Sequence, residues 1–197
     1  MLMFIPAADR LSAHVWWYLG RSSGFAAFWL LFASTALGLA VSSRVFDGVL
    51  GRPWVFELHK FLSIFVLVVM LFHGLIMLPD PYAGFSVREL LIPFESHYRA
   101  NAVAAGIITL YGSALISLSF YLKGLIGQQT WRLLHYLTFA LFVGALFHGI
   151  YAGTDSELPG VQYSYLASAA ALLFLTFFRI LAARSAARSA ARSARTG

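Results

Sequence analysis

The sequence has no cysteine and few charges, and each absence narrows what the protein can do. Without cysteine there are no disulfides, thiolate metal sites or cysteine-held iron–sulfur clusters, and the redox compartment is unreadable. Any redox chemistry must come from another cofactor. Charged residues make up 11% of the 197, where a soluble domain carries about 25%. Hydrophobic residues make up 60%, which marks a membrane protein. Nothing shows the alternation of a barrel strand, so the spans are expected to be helices, the other backbone form that lipid leaves satisfied. The opening MLMFIPAADR lacks the basic start and long apolar run of a signal peptide, so the N-terminus is expected to be retained.

Five apolar runs are each about long enough to cross a hydrocarbon core of about 30 Å: 24–42, 58–78, 102–122, 133–152 and 161–179. With five spans, Arg44, Arg52, Lys60, Lys123, Arg132 and the tail's Arg179, Arg184, Arg188, Arg192 and Arg195 share one side. Those ten basic residues outnumber the four on the other side, Arg10, Arg21, Arg88 and Arg99, so theirs is expected to be the cytoplasmic face. The N-terminus is then outside, the C-terminus inside, and the second and fourth helices run in the same direction. The location is a cell (plasma or inner) membrane, crossed several times. The net charge of +6 reflects this asymmetry and not nucleic-acid binding, since five of the fourteen basic residues fall in the last nineteen positions.

Three segments flank the spans. AHVWWYLGR, 13–21, reads as an interfacial aromatic belt inside an N-terminal segment 1–23, and His14 beside it as structural. The loop PDPYAGFSVRELLIPFESHYR, 79–99, has three prolines and mixed polarity, and reads as an amphipathic roof over the outer end of the bundle. After a membrane domain 24–181, the tail 182–197 repeats Arg-Ser-Ala-Ala, placing Arg184, Arg188 and Arg192 on one stripe. A helical extension of the fifth span and a docking stripe for an acidic partner both fit that pattern.

Four of the six histidines lie within spans, in two segments that repeat each other. LHKFLSIFVLVVMLFHG, 58–74, and LHYLTFALFVGALFHG, 134–149, both open on Leu-His and close on Leu-Phe-His-Gly. His59 and His73 are fourteen apart, and His135 and His148 thirteen. At about 1.5 Å per residue each pair spans roughly 20 Å, so His59 falls level with His135 and His73 with His148. One zinc or copper ion cannot draw four ligands from levels so far apart. What remains is two stacked bis-histidine sites, each with imidazoles facing across a helix gap, the arrangement that holds a flat macrocycle by axial ligation of its iron. Two b-type haems, one near each face, are the inference.

The expected fold is thus an all-α membrane bundle of about five transmembrane helices, with the haems stacked between helices two and four. Gly74 and Gly149 would let a porphyrin approach the backbone, though small-residue helix packing explains them equally. Lys60 and Arg132 beside the inner histidines could pair with propionates, and are also what the positive-inside rule places there. One conflict stands. At about 100° per residue, fourteen residues leave His59 and His73 within roughly 40° of one face, but thirteen leave His135 and His148 about 140° apart on a straight helix.

These residues resemble the ferric reductase-like transmembrane domain, shared by ferric-chelate reductases, NADPH oxidases and the bacterial haem subunit of the methionine sulfoxide reductase system. WWYLGRSSG (16–24), HYR (97–99) and LFHGIYAGTDS (146–156) resemble the stand-alone bacterial branch, and the likeness runs from Trp16 to about Arg179. The resemblance implies electron transfer through two haems b, with His59 and His135 on the inner iron and His73 and His148 on the outer. It departs from the oxidases at Gly197, with no Gly-rich phosphate-binding fingerprint after a strand, so the flavin and nicotinamide domain is expected to be separate. A flavin bound to the membrane part in addition to haem stays open.

The expected donor is a separate flavoprotein reductase or a quinol, and the expected acceptor ferric iron, oxygen or an external reductase. His97, Tyr98 and Arg99 are candidates for the outer acceptor surface; the plainer alternative is that they only fix the loop against headgroups. Two other classes compete: a haem-binding protein for transport or storage without redox turnover, and a scaffold whose histidines make interhelical hydrogen bonds.

Overall fold

The computed structural model describes residues 7–43 and 51–196, without the side chains of 7–14, 186–187, 189–193 and 195–196. Arg10, His14, Arg44, Arg192 and Arg195 therefore lie outside what is described, as residues or as side chains. Seven helices follow one another: α1 (Ala7–Ser43), α2 (Arg52–Ile76), α3 (Val87–Leu91), α4 (Ala100–Ser119), α5 (Lys123–Ile126), α6 (Gln128–Ala152) and α7 (Pro159–Thr196), with no strand among the described residues. Five are long and apolar enough to cross a membrane, over Val15–Ser43, Arg52–Ile76, Ala100–Ser119, Gln128–Ala152 and Pro159–Ser185.

Helix boundaries follow local chemistry. Pro53 sits in the first turn of α2, where its missing N–H costs nothing, and Pro159 opens α7 in the same way. Gly127, at φ 81°, closes α5 and starts α6 in a conformation that a Cβ would disfavour. The first span differs from its expected limits. Residues 13–21 do not precede the first helix but are turns of α1, and positions 23 and 24 lie inside one continuous helix. Hydropathy drops at Trp16, Trp17, Tyr18 and Arg21, but none of these breaks a helix. The Arg21 guanidinium lies 3.8 Å from the Trp17 ring centroid, an i,i+4 pair that favours helix. The tail continues α7 as far as Thr196.

α1 packs along α2 and also touches α6 and α7, while α4 packs along α6 and touches α2. The core joins Phe28, Leu31 and Leu39 of α1 to Val66 of α2, Phe142 of α6, and Tyr165 and Leu172 of α7. Phe28 meets Tyr165 edge-on at 4.8 Å and Phe142 at 5.6 Å, contacts that supply packing where lipid removes the hydrophobic drive between helices. α2 and α6, the histidine carriers, scarcely touch each other. Each is held by its own partner, α1 or α4, on either side of an intervening slot. Phe61, Val68, Leu173 and Phe174 point outwards, as lipid-facing positions do.

The 79–99 loop forms a roof around α3. Ser86 and Glu89 make a reciprocal capping box, Arg88 pairs with Glu95 at 3.0 Å, and Glu89 also accepts from the His97 backbone and ring. Tyr98 Oη and the Arg99 guanidinium then donate to the carbonyls of Ala152 and Tyr151 at the end of α6, and Arg21 pairs with Asp155 just beyond. A cation at the C-terminal turn of a helix is favourably placed.

The Ser86 backbone N–H, followed by the His97 backbone and ring, lowers the Glu89 carboxyl from 4.5 to about 2. Because its folded pKa is depressed, its contribution to the roof is complete above pH 4.5 and drains away as pH falls through 2. Amide exchange across 86–98 should therefore accelerate over that acid range, beyond its intrinsic pH dependence. Glu89→Gln should show faster exchange at neutral pH and lose the acid transition; an unchanged transition in the variant would assign it to another group.

Candidate functional site

The four span histidines meet as two pairs across the slot. The ring centroids of His59 and His135 are 6.1 Å apart, and those of His73 and His148 also 6.1 Å apart. Levels thus match, as near-equal spacings of fourteen and thirteen on helices of the same direction lead one to expect. In each pair the rings stand nearly at right angles, at 84° and 76°.

The second nitrogen of three of these rings is already engaged. His73 Nδ1 donates to the Gly20 carbonyl, His59 Nδ1 to that of Ser34 and His148 Nδ1 to that of Ala102, each at 2.9 Å. A carbonyl only accepts, so Nδ1 carries the proton and Nε2 is left with its lone pair. That is how a ligating histidine is oriented and made more basic. Four residues after each accepting carbonyl stands a glycine that makes room for the ring. A Cβ on Gly24 would lie 2.8 Å from the His73 ring, one on Gly38 3.1 Å from His59, and one on Gly106 2.7 Å from His148.

Three cradles of one design therefore hold three histidines: Gly20/Gly24 and Ser34/Gly38 on α1, and Ala102/Gly106 on α4. They are the functional residues that sequence reasoning passed over. The signal was present, because Gly24 and Gly38 are fourteen apart, as are His73 and His59, which is how two antiparallel helices in register must match.

His135 is the exception. It stacks on Trp131, one turn earlier on its own helix, with centroids 5.0 Å and planes 25° apart. Among the described residues no glycine lies against its ring as one does against each of the other three. The two α6 histidines thus have different supports, α4 for His148 and their own helix for His135. Despite the thirteen-residue spacing, both α6 rings reach an α2 histidine at the same 6.1 Å.

The other candidate residues are spread around this centre. Lys60 pairs with Glu57 at 2.9 Å, and Arg132 is exposed. Gly74 has open space around its Cα, whereas a Cβ on Gly149 would meet the Tyr165 hydroxyl at 2.8 Å, a helix-packing contact. His97 is bound to Glu89, and Tyr98 and Arg99 hold the roof to α6.

Chemically, each level offers two imidazoles to one centre. Among the described residues no group of three or more histidine or acidic side chains converges as a metal cage would require. A haem iron, which takes two axial imidazoles, would be held by His59 and His135 at one level and by His73 and His148 at the other. No protein-family model, curated protein or solved structure matches this chain.

Proposed function

We propose that the protein is a di-haem b electron carrier of the ferric reductase-like kind, moving electrons from a cytoplasmic-side flavoprotein or quinol to an external acceptor. The observation that carries this reading is the pair of histidine levels with equal 6.1 Å separations, three of the four rings tied through Nδ1 so that Nε2 is the free donor. Haem supplies one-electron chemistry when bound. With no cysteine in the chain its attachment is non-covalent, and the potentials are set by ligation, burial and nearby charge.

The chain's own work is positional. α1 holds the His59 and His73 rings, α4 that of His148 and Trp131 that of His135, while the slot between α2 and α6 accepts a flat apolar group and the core around Val66 and Phe142 separates the two levels. Rings locked by carbonyl and glycine suit a resident group better than an exchangeable cargo, which favours electron transfer over haem transport or storage. At the His148 end a cleft of about 620 Å³, lined by Arg99, Asn101, Phe147, Tyr151, Ser156 and Gln162, would give a small acceptor access.

The test uses liposomes with reductant sealed inside and an impermeant ferric chelate outside. Haem-loaded protein should make reduction of the external chelate depend on its presence. A rate equal to that of protein-free liposomes would overturn the proposal.

A further inference from the structure

The inner level contains a group that the haem ligands do not use. Trp131 Nε1 is buried and has no hydrogen-bond partner among the described residues, a state in which native proteins rarely leave a donor. Its ring also carries a cation, with Lys123 Nζ 5.4 Å from the Trp131 centroid and 5.8 Å from that of Phe120. Phe120 meets Trp131 at 6.0 Å on one side and Phe56 of α2 at 6.4 Å on the other. The cluster therefore bridges the α2–α6 slot one turn from His59 and one turn from His135.

An indole N–H can only donate, so the partner it lacks is an acceptor. The adjacent ammonium selects an anion over a neutral carbonyl, and apolar walls require that anion to be both paired and hydrogen-bonded. Other cations near this level are otherwise occupied or displaced. Lys60 is on Glu57, Arg132 is exposed, and Arg179 faces the Tyr136 ring at 5.8 Å.

We propose that Trp131 Nε1 and Lys123 bind a carboxylate of the inner haem, fixing the rotation of the macrocycle about the His59–His135 axis. This rests on the two-haem reading. It also accounts for the missing cradle: the ring that stacks on His135 is a positioning residue for the ligand and a donor to the cofactor.

The experiment compares wild type, Trp131→Phe, which keeps a ring but loses the N–H, and Lys123→Gln, which keeps the indole. All are purified with haem. In Trp131→Phe the propionate bending band in the resonance Raman spectrum should shift, and the inner haem's potential should become more negative. Transfer of that haem to apomyoglobin should be about tenfold faster, while the outer haem is unchanged. Lys123→Gln should move the same three readouts in the same direction, so a poorly folding Trp131→Phe would not remove the test.

Unchanged Raman band, potential and transfer rate in both variants would overturn the assignment. So would a defect confined to the rate of reduction by a quinol, which would give the indole to a quinone headgroup. A wild type without haem would instead sink the two-haem reading itself.

Discussion

Replacing His73 with alanine is expected to remove about half of the haem from purified protein and leave the His59–His135 level spectrally intact. His59→Ala should do the converse. The rings at each level lie 6.1 Å apart while the levels are about fourteen residues, roughly 20 Å, distant along the helix, so each pair should lose its iron without its counterpart. His97→Ala, altering a ring bound to Glu89 on the roof, should leave haem content unchanged. If the four span histidines were only interhelical hydrogen-bonders, each alanine would cost at most about 1–2 kcal/mol of packing and no absorbance would change. Haem quantification on the three variants separates these outcomes.

The second large effect comes from a residue that is not one of the four histidines. Gly106→Val would place a branched side chain where even a Cβ comes within 2.7 Å of His148 Nδ1. That ring sits between the Ala102 carbonyl and α2's His73, and cannot retreat without losing one of them. The overpacking itself should cost about 1–3 kcal/mol, and displacing the ligand should weaken outer haem binding about 10–100-fold. Gly160→Val, on α7 with open space around it and beside none of the four histidines in sequence, is the control and should retain both haems. Equal haem retention in the two variants would mean that the glycine cradle does not set the ligand's position.

Much of the bundle was legible because lipid imposes a simple code: long apolar runs become helices, and few other signals compete. The repeated Leu-His and Leu-Phe-His-Gly ends of 58–74 and 134–149 exposed both histidine pairs, and even their levels, since rise per residue is a local property. The cradles on α1 and α4 were not legible in the same way. Gly24, Gly38 and Gly106 act on rings of another helix, and which helix faces which, in which register, is settled by packing. The start of α1 was less legible, for hydropathy reads solvent preference, and Arg21 and the aromatics of 13–21 lowered it without ending the helix. The thirteen-residue spacing looked like a conflict because a helical wheel fixes only the direction in which each side chain leaves a straight helix, not where the ring at its end lies. His135 lies on Trp131 and His148 on the Ala102 carbonyl, and both still meet an α2 histidine at 6.1 Å.

The most direct test is a count of haem on purified wild-type protein from cells with ample haem supply, by pyridine haemochrome together with a dithionite-reduced minus oxidised spectrum. Two haems b per chain are expected, both low-spin with bis-histidine ligation. A folded preparation that holds none would contradict it and leave the two 6.1 Å histidine pairs as packing.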